Sequence, residues 1–186
     1  MRVGVLALQG DFEAHMKALK RVGAEPVEVR TAAELDTVRG LIIPGGESTT
    51  MLKLMGYYEL FEPLRAFGGQ RPVFGTCAGA ILIASEVLNP SQASLNLVDL
   101  TVERNGYGRQ LDSRVVSVTQ YGLGGDPEVE VVLIRAPIVR RTGGQVLASY
   151  LDSPILVDYG RHMAATFHPE LTDDTRVHKL FLSKVN

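Results

Sequence analysis

Two periods alternate along the first 90 residues of the chain. Four short apolar runs, Arg2–Leu8 (RVGVLAL), Pro26–Arg30, Gly40–Ile43 and Pro72–Phe74, have the length and composition of buried strands. Between them, apolar residues recur at helical spacing. Asp11–Val22 places Phe12, Met16 and Leu19 on one helical face, and Thr31-Ala-Ala-Glu34 has the spacing of a capping box that opens a short helix. Ser48 and the threonines after it are expected to cap a helix running through Met51–Leu54. Further helices are expected near Tyr58–Phe67 and over Ala78–Val87. Strands that are apolar on both faces and alternate with helices predict βαβ units, hence a parallel sheet covered on each side.

After Asn89 the rhythm changes. Leu97–Val102, Arg114–Gln120, Val129–Arg135, Val146–Tyr150, Ile155–Tyr159 and Met163–Phe167 read as successive strands, some antiparallel. A last helix is predicted over about Asp173–Val185, capped by Thr172 or Asp173, and the polar stretch Asn89–Ser94 is expected to be a flexible loop. The expected fold is therefore α/β in three α/β/α layers, with a mostly parallel sheet and additional antiparallel strands in the second half. With no internal repeat or linker, residues 1–186 are expected to form one domain.

Composition narrows the possibilities. A chain of 186 residues with 45% hydrophobic and 22% charged residues can bury roughly 70% of its unfolded surface without metals or disulfides. The formal net charge of −2 and the absence of a basic cluster argue against a nucleic-acid binder. The single cysteine makes neither an internal disulfide nor a Cys-based zinc site. The opening MRVGVLALQGD lacks a basic segment followed by an apolar core and a cleavage site, and no apolar run nears the roughly 18 residues of a membrane span. A cytoplasmic, soluble protein without membrane, metal or cofactor is the expectation.

The strongest local chemistry is Gly75-Thr76-Cys77-Ala78-Gly79, between a predicted strand and a predicted helix. This is the G-x-nucleophile-x-G elbow with cysteine in the nucleophile's place. Small neighbours let backbone and substrate approach, and the helix start offers N–H groups and a positive dipole end to a thiolate or a developing oxyanion. A lone cysteine is more often simply buried; the elbow frame reverses that preference. Of the four histidines, His15 and His178 read as surface or helix-packing residues and His162 as a turn residue. His168 ends an apolar run before Pro169, and an extended His168-Pro169-Glu170 segment would put Glu170 beside the imidazole, where a carboxylate orients a catalytic base.

Pro44-Gly45-Gly46-Glu47-Ser48-Thr49 follows another predicted parallel strand, at the sheet edge where open α/β folds bind ligands. Gly46 is a candidate second oxyanion donor beside the N–H of Ala78. Arg104 and Arg135 are the candidates for gripping a substrate carboxylate bidentately, although either also reads as a surface ion-pair residue.

Taken in order, PGGEST, GTCAG, ERNGYGRQ, IRAP and TFHPELTDD, with LALQGDFEAH near the start, resemble the class I glutamine amidotransferase family over essentially the whole chain. PGGESTT and ERN-x-x-GRQ narrow the resemblance to the branch of glutaminase subunits of pyridoxal 5'-phosphate synthase. The resemblance implies that Cys77 attacks the glutamine amide, His168 moves the proton and Glu170 supports His168. It implies that Gly46, Glu47, Ser48, Arg104, Ile134 and Arg135 contact L-glutamine, and that ammonia passes to a separate synthase subunit. Two alternatives remain open at this point. A stand-alone cysteine hydrolase or peptidase would share the elbow but has no need of PGGEST. A flavodoxin-like, non-catalytic phosphoacceptor module would want an aspartate where Pro44-Gly45-Gly46 stands.

Overall fold

The computed structural model describes residues 1–104, 113–119 and 121–185. The ERNGYGRQ motif beyond Arg104, and Gln120 at the end of a predicted strand, lie outside the described residues. Five parallel strands, β1 (Arg2–Leu6), β2 (Glu25–Val29), β3 (Leu41–Ile43), β4 (Val73–Thr76) and β12 (Met163–Ala165), form the centre of a seven-stranded sheet. Two antiparallel strands, β10 (Gln145–Tyr150) and β11 (Ser153–Asp158), extend it, in the order β10-β11-β12-β4-β3-β1-β2.

Side chains alternate across this sheet, and both faces are covered. Leu41 and Ile43 enter one apolar cluster while Ile42 enters the other; Val73 and Phe74 divide the same way, as do Ala164 and Met163. The first face packs against α2 (Ala32–Asp36), α3 (Ser48–Tyr57), α4 (Phe61–Gln70) and α5 (Ala78–Ile83). The second packs against α1 (Phe12–Arg21) and α6 (Arg176–Val185), together with the antiparallel pair β7 (Ser113–Val118) and β8 (Val129–Ile134). A small separate sheet holds β5 (Ala84–Leu88), β6 (Val98–Glu103) and β9 (Ile138–Thr142).

Several expectations are corrected. The helix expected over Ala78–Val87 stops at Ile83, and Ala84–Leu88 pairs with β6 in parallel register. Strand pairing overrides the helical spacing of those apolar residues. The strand β9 went unpredicted because the arginines of Ile138–Thr142 hide its two buried residues, Ile138 and Val139. The cap of α3 is Glu47 rather than Ser48: its carboxylate accepts from the Thr49 and Thr50 N–H groups at 3.2 and 2.7 Å. The helix after it begins at Phe61, and the last helix begins at Arg176, whose N–H donates to Asp174 Oδ1 at 2.9 Å. Neither Thr172 nor Asp173 therefore caps it.

The Asn89–Ser94 segment is irregular but anchored. Ser94 Oγ donates to the Ala84 carbonyl at 2.7 Å, and Gln92 Oε1 accepts from Ser48 Oγ at 3.0 Å. On α1 the buried side chains are His15, Ala18 and Leu19, whereas Phe12 and Met16 are half-buried. The inner face of that helix is thus turned by one position from the expected one. Among the described residues no helix is long and apolar enough to cross a membrane.

Candidate active site

The carboxyl ends of β3, β4 and β12 meet at one edge of the sheet, and the sequence-predicted residues converge there. Cys77 follows β4 as the residue before α5, with a positive φ of 47° and ψ −105°. Holding a side-chain-bearing residue in such a region costs about 1–3 kcal/mol, strain that the surrounding structure must impose. Two features impose it here. The Cys77 N–H donates to the Ala165 carbonyl of β12 at 2.8 Å, and Ile81 N–H donates back to the Cys77 carbonyl at 3.3 Å. Gly79 lies so close to Ile43 that any Cβ there would collide with the Ile43 carbonyl oxygen. The small residues of GTCAG let helix α5 sit directly against β3.

His168 leaves β12 with its N–H donating to the Val132 carbonyl of β8 at 2.9 Å, and its ring lies against Gly45. The next residues form a 3-10 turn, Pro169–Leu171, rather than the extended segment expected. The turn still brings Glu170 to the imidazole: His168 Nδ1 lies 2.7 Å from Glu170 Oε1, both side chains almost wholly buried. With Nδ1–H donating to a carboxylate, Nε2 is the nitrogen left to face Cys77. Burial would depress the His168 pKa, but its hydrogen bonds to Cys77 and Glu170 outweigh that effect and push it up to about 10. The imidazole is a strong proton acceptor beside the thiol.

A cavity of about 210 Å³ opens over these groups. It is lined by Cys77, His168, Gly46, Glu47, Ser48, Ala78, Arg104, Ile134 and Arg135, together with Asp11 and Ile81, which the sequence reading did not single out. Glu170 stands behind His168, outside the lining. Ile134 presents its carbonyl to Cys77 Sγ at 3.6 Å. The following residue, Arg135, has φ 44° and an exposed side chain. Arg104 is more enclosed and lies 3.4 Å from Glu47 Oε1. Hydrogen bonds from the Thr49 and Thr50 side chains hold the Glu47 pKa down to about 2, so this carboxylate is anionic at the cavity rim.

Of the two readings open for His15 and His178 the structure takes helix packing, and His162 lies in the turn before β12 as expected, though buried. His15 and His178 are fully buried and 3.1 Å apart, and buried His162 accepts from the Val73 N–H through Nδ1 at 3.2 Å. Their spacing carried a signal: 15, 18 and 19 on α1, and 178, 181 and 185 on α6, are helical-face intervals.

Burial, with Arg161 for His162 and Arg21 for His178, holds both pKa values to about 4, below the ordinary 6.5. Between those values the unfolded chain binds protons that the folded chain refuses, so stability falls as pH drops through the window. The raised His168 works oppositely: its contribution is complete below 6.5 and is lost as pH rises through about 10. Thermal denaturation is therefore expected to show Tm declining from pH 6.5 to 4 and again toward pH 10. A Tm that stays level across the acid window would contradict the burial of these rings.

A doubly wound sheet with a cysteine elbow, an adjoining His–Glu pair and a polar cavity defines an amide-processing cysteine enzyme. The chain belongs to the SNO glutamine amidotransferase family, whose sequence pattern matches residues 5–186. It is 57% identical to the pyridoxal 5'-phosphate synthase subunit PdxT of Solibacter usitatus (strain Ellin6076), over 99% of each chain. It is 51% identical to the subunit of the same name from Koribacter versatilis (strain Ellin345), over 100% of this chain and 96% of that one. A crystal structure of a glutamine amidotransferase superposes with a TM-score of 0.89 at 46% identity, covering 98% of both chains.

Proposed function

We propose that this amidotransferase hydrolyses L-glutamine to L-glutamate and ammonia with Cys77 as nucleophile, His168 as acid–base and Glu170 as its support. The ammonia is delivered to the synthase subunit of pyridoxal 5'-phosphate synthase, in the pathway to vitamin B6. The observation that carries this reading is Cys77 and His168 in the lining of one cavity, with Glu170 bonded to His168 from behind and the opposite charges Glu47 and Arg104 at the rim.

Cys77, its proton already passed to His168 Nε2, attacks the side-chain amide carbon through Sγ. The N–H groups of Ala78 and Gly46 receive the resulting oxyanion. Collapse of the tetrahedral intermediate breaks the C–N bond, and His168 gives its proton to the departing nitrogen, releasing ammonia and leaving a thioester. A water molecule, relieved of a proton by His168, then attacks the thioester; the C–S bond breaks and glutamate leaves. Glu170 keeps the imidazole in the tautomer and orientation both halves require.

Residues Gly46, Glu47, Ser48, Arg104, Ile134 and Arg135 bind the amino-acid end of glutamine. Arg104, partly enclosed and now paired with Glu47, is the better partner for the α-carboxylate; Arg135 contributes through its constrained backbone at the cavity wall. Residues 1–186 act as one amidotransferase domain. The cytoplasm is the fitting compartment, because the only cysteine must remain a reduced thiol to act.

The test is ammonia release from glutamine in the presence of the synthase subunit. Equal amounts of glutamate and ammonia are expected, with no cleavage of peptide bonds; peptide hydrolysis would move the chain to the stand-alone hydrolase class. For recognition, Arg104→Met is expected to lower kcat/KM for glutamine by about 10²-fold, the scale of a lost charged contact. The same change should cost far less with an analogue lacking the α-carboxylate. Equal losses on both would assign Arg104 to the fold or the interface.

A further inference from the structure

The polar contacts behind the nucleophile do not stop at Glu170. We infer that His15 is a positioning residue for this reaction, its Nε2–H holding the Glu170 oxygen that His168 leaves free. The inference rests on the triad reading above and deepens it.

The Glu170 side chain is fully buried, and Oε1 is committed to His168 Nδ1. Its other oxygen, Oε2, has no aligned hydrogen-bond donor among the described residues, but His15 Nε2 stands 3.3 Å from it. The alignment is imperfect because the same Nε2 is turned partly to Thr76 Oγ1, at 3.0 Å. A carboxylate oxygen only accepts, so the proton of neutral His15 belongs on Nε2, shared between Thr76 and Glu170. Nδ1 of His15 is then an acceptor, and His178 Nε2 lies 3.1 Å from it to donate. His178 Nδ1, at the far end, has no hydrogen-bond partner among the described residues, which leaves the ring's proton for Nε2. The sequence of donors therefore runs one way, from α6 through α1 to the residue that supports His168.

Packing fixes the two rings. The Phe74 ring meets His15 edge-on at 6.5 Å and His178 at 6.4 Å. Burial first, then the charges of His178 and His168, hold the His15 pKa well below its ordinary value. The groups facing His15 are thus His178 from α6, Glu170 from the 3-10 turn, Thr76 from β4 and the His168 cation beyond. A neutral donor suits this place. It restrains the carboxylate without competing with His168 for its charge, whereas a cation would. Without it the Glu170 carboxylate turns freely, and the imidazole spends less time in line with Cys77. His15 does not line the substrate cavity, so its loss falls on turnover rather than on binding.

Two variants of similar size separate positioning from packing. In His15→Gln the side-chain amide reaches the place of Nε2, facing Glu170. In His15→Asn it reaches only the place of Nδ1, facing His178. With the synthase subunit bound and glutamine as substrate, His15→Asn is expected to lower kcat by about tenfold or more while KM changes by less than about twofold. His15→Gln should recover much of that loss. In a Glu170→Ala background His15→Asn should cost nothing further, because its effect passes through the carboxylate that is gone. Losses that multiply, equal impairment of the two variants, or full activity of His15→Asn beside a crippled Glu170→Ala would each overturn the inference while leaving the triad standing. A Glu170→Ala enzyme of undiminished kcat would instead overturn the triad reading and this one together. If His15→Asn does not fold, His178→Leu, which removes the donor to His15, is carried through the same cycle. A kcat loss that vanishes in the Glu170→Ala background supports the inference, and an unchanged kcat overturns it.

Discussion

Replacing Cys77 with alanine is expected to abolish ammonia release from glutamine. No other described residue of the cavity is placed to take over the attack: the chain has one cysteine, and Ser48, the hydroxyl-bearing residue of the lining, donates to Gln92. Removing the nucleophile of a catalytic triad typically costs about 10⁴–10⁶ in kcat. His168→Asn is expected to cost about as much, and the double variant no more than either alone, since the two residues perform one step. The fold should survive both changes. Cys77 is held by backbone hydrogen bonds to Ala165 and Ile81 that alanine keeps, so Tm is expected to move by only about 2–4 °C, the scale of a 1 kcal/mol change in a domain this size. A glutamine-like electrophile should label wild-type protein at Cys77 alone. Substantial hydrolysis by Cys77→Ala would sink the nucleophile assignment.

What the sequence disclosed and what it hid divide along a physical line. The elbow and the glycine loop after β3 are local: each is set by a few adjacent residues whose conformational demands are readable from their types. The His168–Glu170 pairing is legible from its two-residue spacing, but the 3-10 turn that makes it is not. The parallel core was legible for the same reason, since strands buried on both faces read as unbroken apolar runs. The hidden parts depend on partners distant along the chain. The switch from α5 into β5 at Ala84 is decided by pairing with Val98–Glu103. The burial of His15 is decided by His178, 163 positions later. A polar residue on an amphipathic helix reads as an outward one unless its partner is known. Glu47 as a cap is hidden for another reason: serine, threonine, aspartate and asparagine dominate that position, and two threonine N–H groups here donate to a longer carboxylate instead.

The second large effect expected is a rise in kcat when the synthase subunit is added. Ammonia made without an acceptor at hand is lost, so an amidotransferase of this kind gains from idling alone. The structure contains a linkage suited to that control. The loop after β1 grips the loop after β3: the Asp11 N–H donates to the Gly45 carbonyl at 3.2 Å, and Gln9 Oε1 accepts from the Glu47 N–H at 2.8 Å. Between these bonds lies the Gly45–Gly46 peptide, whose N–H is the proposed second oxyanion donor. Gly46 has φ 154°, a value glycine tolerates readily. The Gly45 carbonyl and the Gly46 N–H point to opposite sides of one planar peptide, so the Asp11 contact fixes where that N–H is aimed. A partner that presses on Gln9–Asp11 at the sheet edge can re-aim it for the loss of a hydrogen bond of about 1 kcal/mol. A correctly placed oxyanion donor is worth about 10²–10³ in kcat, which sets the size of the expected activation. The measurement is ammonia release at saturating glutamine, with the chain alone and with increasing synthase subunit. Full activity in the isolated chain, unchanged on mixing, would refute control by the partner.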